Sequence, residues 1–151
     1  MSDILHRIPV AATPEEILQV VTTTAGFRSW WTDDCEAVPK VGSVAIFRFD
    51  GGAVEFHFRM DELTPRRAAW TCVPAPKVPA EWVGTRLAFD LSPGKSGGSV
   101  VRFGHLGWRS IEGEFPACNT VWGELMHRLK DSAEGRPRGP YFTSNPSGSR
   151  Y

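Results

Sequence analysis

The side chains best equipped for chemistry in this chain are a few histidines, three cysteines and two paired carboxylates. His105 falls in the alternating register of Val101 and Phe103, which turns it inward. There an imidazole can orient a ligand or act as acid and base. His6 shares a face with Ile4, Ile8 and Val10. For both, a hydrogen-bonded structural histidine is the simpler reading. His57 alternates outward with Glu55, Arg59 and Asp61, and a solvated face explains these four residues without a metal. Asp33 and Asp34 are neighbours in sequence, which suits a turn or cap better than convergent carboxylate chemistry. Cys72 and Cys118 have no basic neighbour in sequence to lower their pKa and read as small apolar residues. No nucleophile elbow, phosphate loop, dinucleotide fingerprint or zinc-protease helix is present. The expectation is therefore no catalytic group, no metal and no cofactor.

The aromatic residues are richer. Trp30, Trp31, Phe56, Phe58, Trp70, Phe89, Phe103 and Trp122, with His105, Cys118 and Met126, form a set able to line an apolar pocket. Small-molecule sites are concave and mostly hydrophobic, with few polar groups. Taken singly, each of these aromatics is better explained by core packing. As a set they imply a cavity, because a long helix over a curved sheet leaves space at one end.

That helix is the segment Phe115 to Glu134, where Cys118, Val121, Trp122, Leu125, Met126 and Leu129 step by three and four onto one stripe. The strands that must receive the stripe come earlier. Ile4 to Val10 alternates as a first strand. Thr13-Pro14-Glu15-Glu16 then has the form of a capping box, opening a helix through about Val21. Ala25 to Trp31 reads as a short second helix. Val54, Phe56, Phe58 and Met60 alternate with polar residues, and Asp50-Gly51-Gly52 links them to Val44–Phe49 as a hairpin. Arg67 to Val73 follows, then a proline-rich connection over Pro74 to Pro79. Gly84–Leu91 and Ser99–Leu106 complete a last hairpin. Tight turns make the sheet antiparallel, and strands followed by a helix give an α+β domain over residues 1–135. Residues 136–151, rich in Gly, Pro, Ser and Arg, are expected to be a flexible or loosely packed tail, with Tyr141 and Phe142 able to dock on the body or on a partner.

At 151 residues the chain suffices for one core without disulfides. Seventeen basic and seventeen acidic residues give no net charge, which argues against nucleic acid or an anionic membrane as partner. Three dispersed cysteines argue against a disulfide framework, and the N-terminal residues lack the apolar run of a signal peptide. A cytoplasmic location is the expectation.

The order of elements resembles the helix-grip fold of the START and SRPBCC superfamily. Within it the chain looks most like the branch named after the activator of the heat shock protein ATPase. The residues carrying the resemblance are Ala12-Thr13-Pro14-Glu15-Glu16-Ile17, Trp30-Trp31-Thr32, Val41-Gly42, and Leu63-Thr64-Pro65-Arg66-Arg67 with Trp70. They continue with Gly84-Thr85, Val101-Arg102-Phe103-Gly104-His105 with Gly107-Trp108, then Trp122, Leu129-Lys130 and Glu134-Gly135. The resemblance implies a cavity between sheet and helix, and roles ranging from lipid or metabolite carriers to polyketide cyclases and co-chaperones. The leading expectation is a non-enzymatic protein that holds a hydrophobic small molecule. The alternatives are a cyclase- or hydrolase-like enzyme using a cavity histidine, and a chaperone-associated interaction module.

Overall fold

Strand β1 (Ser2–Val10) buries Ile4, Ile8 and Val10 and exposes Leu5 and Arg7, as its alternation requires. In this computed structural model, which describes residues 1–144, the chain then leaves the sheet through two short helices. Helix α1 (Pro14–Thr22) starts with the expected capping box. The Glu16 amide donates to the Thr13 hydroxyl at 3.2 Å, and the Glu16 carboxylate accepts from the Thr13 amide at 2.9 Å. Helix α2 (Thr24–Arg28) is shorter than the sequence indicates, ending before Trp30 and Trp31. It lies hard against α1. A Cβ at Gly26 would sit 2.3 Å from the Gln19 carbonyl oxygen, so only glycine permits this approach.

The two helices carry the chain from one edge of the sheet to the other. A two-residue strand β2 (Cys35–Glu36) forms the far edge. The chain then meanders through β3 (Val44–Phe49), β4 (Val54–Thr64), β5 (Arg67–Val73), β6 (Arg86–Pro93) and β7 (Ser99–Trp108). The resulting order is β1-β7-β6-β5-β4-β3-β2, antiparallel throughout. Irregular register at Met60/Glu62 in β4 bends the sheet, since a bulge raises local twist. At the β3–β4 turn Gly51 and Gly52 take φ of 64° and 91°, values costly for a residue with a Cβ.

Helix α3 (Phe115–Ala133) lies in the concave face and buries Cys118, Trp122, Leu125, Met126, Leu129 and Ala133. Trp122 is its anchor, 4.4 Å from Phe103 of β7 and 5.1 Å from Trp31 between ring centroids. The C-terminal end of α3 is fastened to β1 and the residue after it. Lys130 donates to the Pro9 carbonyl at 3.1 Å, and Glu134 accepts from the Ala11 amide at 2.8 Å. This is the α+β helix-grip architecture expected from the element order.

The segment after α3 returns across the body. Phe142 donates its amide to Trp31 at 2.9 Å, accepts from Asp33 at 3.2 Å, and meets Phe49 edge-on at 5.1 Å. Arg128 donates to the Gly139 carbonyl at 2.9 Å and lies over the Tyr141 ring at 5.3 Å. Ser144 bonds both oxygens of the Asp33 carboxylate. Tyr141 and Phe142 thus dock on the body, one of the two alternatives the sequence leaves open. Residues 145–151 lie outside the described residues. Ending the chain after Gly135 is expected to cost about 2 kcal/mol, the scale for unburying one large aromatic. A melting temperature unchanged within about one degree would show that the docked aromatics contribute nothing.

Candidate functional site

Where the concave face opens to solvent, the end of β3, the start of β4, the β5–β6 connection and the N-terminal end of α3 meet. Between them lies a cleft of about 390 Å³. Its floor is Phe49, Val54, Phe56, Pro79, Trp82 and Cys118, and its rim carries Asp50, Glu81 and Glu114. The sequence marks this platform only indirectly, through the proline-rich run that precedes Trp82.

Although the segment carrying Trp82 is irregular, it is rigidly held. Arg109 donates to the Ala80 carbonyl at 2.7 Å and to the Val83 carbonyl at 2.9 Å. The Gly84 amide donates to the Cys72 carbonyl at 2.9 Å, and the Thr85 amide to the Trp82 carbonyl at 2.9 Å. Trp82 in turn stacks on Phe56, with centroids 3.9 Å apart and planes 29° apart.

His105 lies behind this platform and is fully buried. The Trp122 indole N–H donates to its Nδ1 at 3.1 Å. Indole nitrogen can only donate, so Nδ1 is unprotonated and the ring proton sits on Nε2. Nε2 then donates to the Thr85 hydroxyl at 2.9 Å, and that hydroxyl donates to the Trp82 carbonyl at 2.6 Å. The relay ties α3, β7 and the Trp82 segment together. With both nitrogens engaged, and burial pushing the pKa down to about 3, the imidazole stays neutral. It positions the aromatics, with both ring nitrogens committed to protein partners.

His6 pairs across the ladder with Phe103 and stacks on its ring at 6.5 Å, separate from the cleft residues. His57 bonds Glu55 at 3.1 Å in a network where Arg48 also reaches Asp34, Glu36 and Glu55. Asp33 and Asp34 serve Ser144 and Arg48. Burial pushes the thiols up, to about 11 for Cys35 and about 12 for Cys72 and Cys118, so all three stay protonated at neutral pH. Among the described residues no group of histidine, cysteine, aspartate and glutamate is arranged to hold a metal ion.

All eleven residues singled out from the sequence are buried, but they divide by depth. Phe56 and Cys118 reach the cleft. Trp31 and Trp122 line, with them, an inner void of only about 10 Å³, closed also by Phe49, Trp82, Val121, Leu125 and Phe142. That is roughly one water molecule's worth of space. Trp30, Phe58, Trp70, Phe89, Phe103, His105 and Met126 border neither space. Phe49, Phe56, Trp82 and Cys118 are walls of both, so the cleft and the void are separated only by these side chains.

A curved antiparallel sheet gripping a long C-terminal helix, with an aromatic cleft at its open end, is a helix-grip domain, consistent with an SRPBCC-like fold. No protein-family profile matches the chain, and no curated protein matches it significantly. Among solved structures it is similar to the Aha1 dimer of Colwellia psychrerythraea, at 36% identity and a TM-score of 0.78, covering 89% of this chain and 98% of that one. The chain belongs to the same family as that protein. The fold recurs in MLL2253 of Mesorhizobium loti, at 17% identity and a TM-score of 0.74 over 86% of this chain and 95% of that one. It recurs again in DynU16 of the dynemicin biosynthetic locus, at 17% identity and a TM-score of 0.72, covering 95% of this chain and 51% of that one. No helix among the described residues is long and apolar enough to cross a membrane.

Proposed function

We propose that this member of the family, whose sequence motifs resemble the branch of the heat shock ATPase activator, is a non-enzymatic cytoplasmic binder of an apolar or aromatic small molecule. The observation that carries the reading is the aromatic cleft of about 390 Å³, within the size range of small-molecule sites and continuous in its walls with the interior. The ligand's apolar body rests on Phe49, Phe56 and Trp82. Small rotations of the shared walls would let it extend toward Trp31 and Trp122. A cyclase-like reaction finds less support, because the buried imidazole is neutral, doubly bonded and away from any carboxylate.

The neutral dye Nile red is expected to bind the native protein with saturation near one site per chain. Cys118→Trp, which fills the cleft floor, is expected to abolish uptake while circular dichroism shows the fold retained. A folded wild type that takes up no dye would sink the reading. Native state matters here, since partly unfolded chains also bind such dyes.

A second reading, an interaction module, draws on Val38, Val41 and Val44, which stand 56%, 54% and 46% exposed around the start of β3. The Colwellia relative is described as a dimer, and a chaperone partner or a second copy would have to cover this patch.

A further inference from the structure

The rim of the cleft differs in charge from its floor. Asp50, Glu81 and Glu114 reach it from three separate segments, and no lysine, arginine or histidine lines it. Eight acidic residues are held in ion pairs: Asp34, Glu36 and Glu55 with Arg48, Asp61 with Arg59, Glu62 and Asp90 with Arg67, Asp131 with Arg138, and Glu134 with Lys130. Asp50, Glu81 and Glu114 are not, and they make no ion pair or side-chain hydrogen bond among the described residues. Lys77, the cation on the neighbouring turn, is committed to the Gly52 carbonyl at 2.9 Å and lies 3.9 Å from Glu55.

Glu81 and Glu114 act on the cleft floor. Both raise the pKa of Cys118, after the larger effect of burial, so their charge is felt at its Sγ. Glu81 also lies against the β7–α3 loop, where a Cβ on Gly113 would fall 2.2 Å from its Oε1. Cys118 itself is 3% exposed and lines the cleft; its amide donates to the Glu114 carbonyl at 2.9 Å, and its thiol makes no hydrogen bond among the described residues. The three carboxylates do not converge closely enough to form a metal-binding group. Beneath them the floor is aromatic, with Trp82 stacked on Phe56 and Phe56 edge-on to Phe49 at 5.4 Å. Carboxylates above aromatic rings attract an organic cation through charge from the rim and through the ring quadrupoles below. An anionic ligand, such as a fatty acid carboxylate, would meet unpaired like charge in the same place.

Resting on the ligand-binding reading above, we propose that the cleft selects an organic ammonium with an aromatic or apolar body. Its charged nitrogen sits between Asp50, Glu81 and Glu114, and its body lies on Phe56 and Trp82. The cation needs no further counter-charge, and the apolar body turns away from water. All three carboxylates are solvent-exposed, so neutralising them leaves the core untouched.

The test uses three probes of one shape on the full chain, followed by calorimetry: naphthylmethylammonium, naphthylmethanol and naphthoate. The ammonium is expected to bind at one site about tenfold more tightly than the alcohol, with naphthoate weakest, and the ammonium's advantage is expected to shrink as salt rises. The triple variant Asp50→Asn, Glu81→Gln, Glu114→Gln is expected to keep the alcohol's affinity and lose the ammonium's advantage. Equal binding of all three probes to the wild type would overturn the charge selection and leave the ligand-binding reading standing. An ammonium preference surviving in the triple variant would also overturn it. Binding of none of the probes to the folded protein would overturn both.

Discussion

Trp122→Ala is expected to lower the unfolding free energy by about 3 to 5 kcal/mol, at the upper end of large-to-small core substitutions. The indole fills the junction of three elements, touching Phe103 of β7 at 4.4 Å and Trp31 after α2 at 5.1 Å. It is also the only donor to His105 Nδ1 among the described residues, so truncation leaves a buried acceptor unpaired as well as a cavity. A phenylalanine at 122 refills much of the volume without the N–H, and its smaller loss separates the packing from the hydrogen bond. Urea titrations with matched slopes measure both. A loss below about 1 kcal/mol for the alanine variant would mean that α3 is held elsewhere, for example by Lys130 and Glu134 at its C-terminal end.

The parts of the fold legible in the sequence are those with a strict period. Strands Val44–Phe49 and Arg67–Val73 occur as read, and Val54–Thr64 extends beyond its alternating run by the residues that follow the bulge. The stripe on Phe115–Ala133 is buried as its spacing requires. Strand Cys35–Glu36 is two residues long and has no period to read. Spacing alone carries the second helix too far, to Trp31, for a related reason. Phe27, Trp30 and Trp31 are spaced as on a helix, yet the helix ends at Arg28, where the Ser29 amide and hydroxyl both bond the Gly26 carbonyl and turn the two indoles inward.

The site was legible by face and illegible by depth. Alternation says that Phe56, Phe58, Phe103 and His105 point to the concave side. It does not say that Phe56 lies at the mouth and Phe58 in closed core. Trp82, Asp50, Glu81 and Glu114 belong to turns and connections, where no period exists and position is set by distant partners such as Arg109. Trp82 had one usable signal. A tryptophan at the end of a proline-rich connection is an expensive residue to leave in a loop unless it docks.

Stability is expected to fall with pH through His105. In the unfolded chain the imidazole takes up a proton around its ordinary value of 6.5, whereas in the native state burial holds it neutral down to about 3. Between those values the unfolded state binds the additional proton, so acid favours unfolding and stability rises with pH across the window. From about one unit above that ordinary value both states are neutral and the effect vanishes. The upper part of the window is the informative one. Between pH 6.5 and 5.5 the loss from this residue alone is about 1 kcal/mol, and below that the carboxylates of Glu16, Glu55, Asp61 and Glu134, all held below their usual range, add losses of their own. His105→Gln supplies the control, because its amide can accept from the Trp122 indole and donate to the Thr85 hydroxyl without titrating. Urea midpoints across this range are expected to drop more steeply for the wild type than for the variant. Parallel slopes would mean that the buried imidazole takes up a proton in the native state, which would break the Trp122–His105–Thr85 relay as drawn and return His105 to the set of groups able to carry a proton.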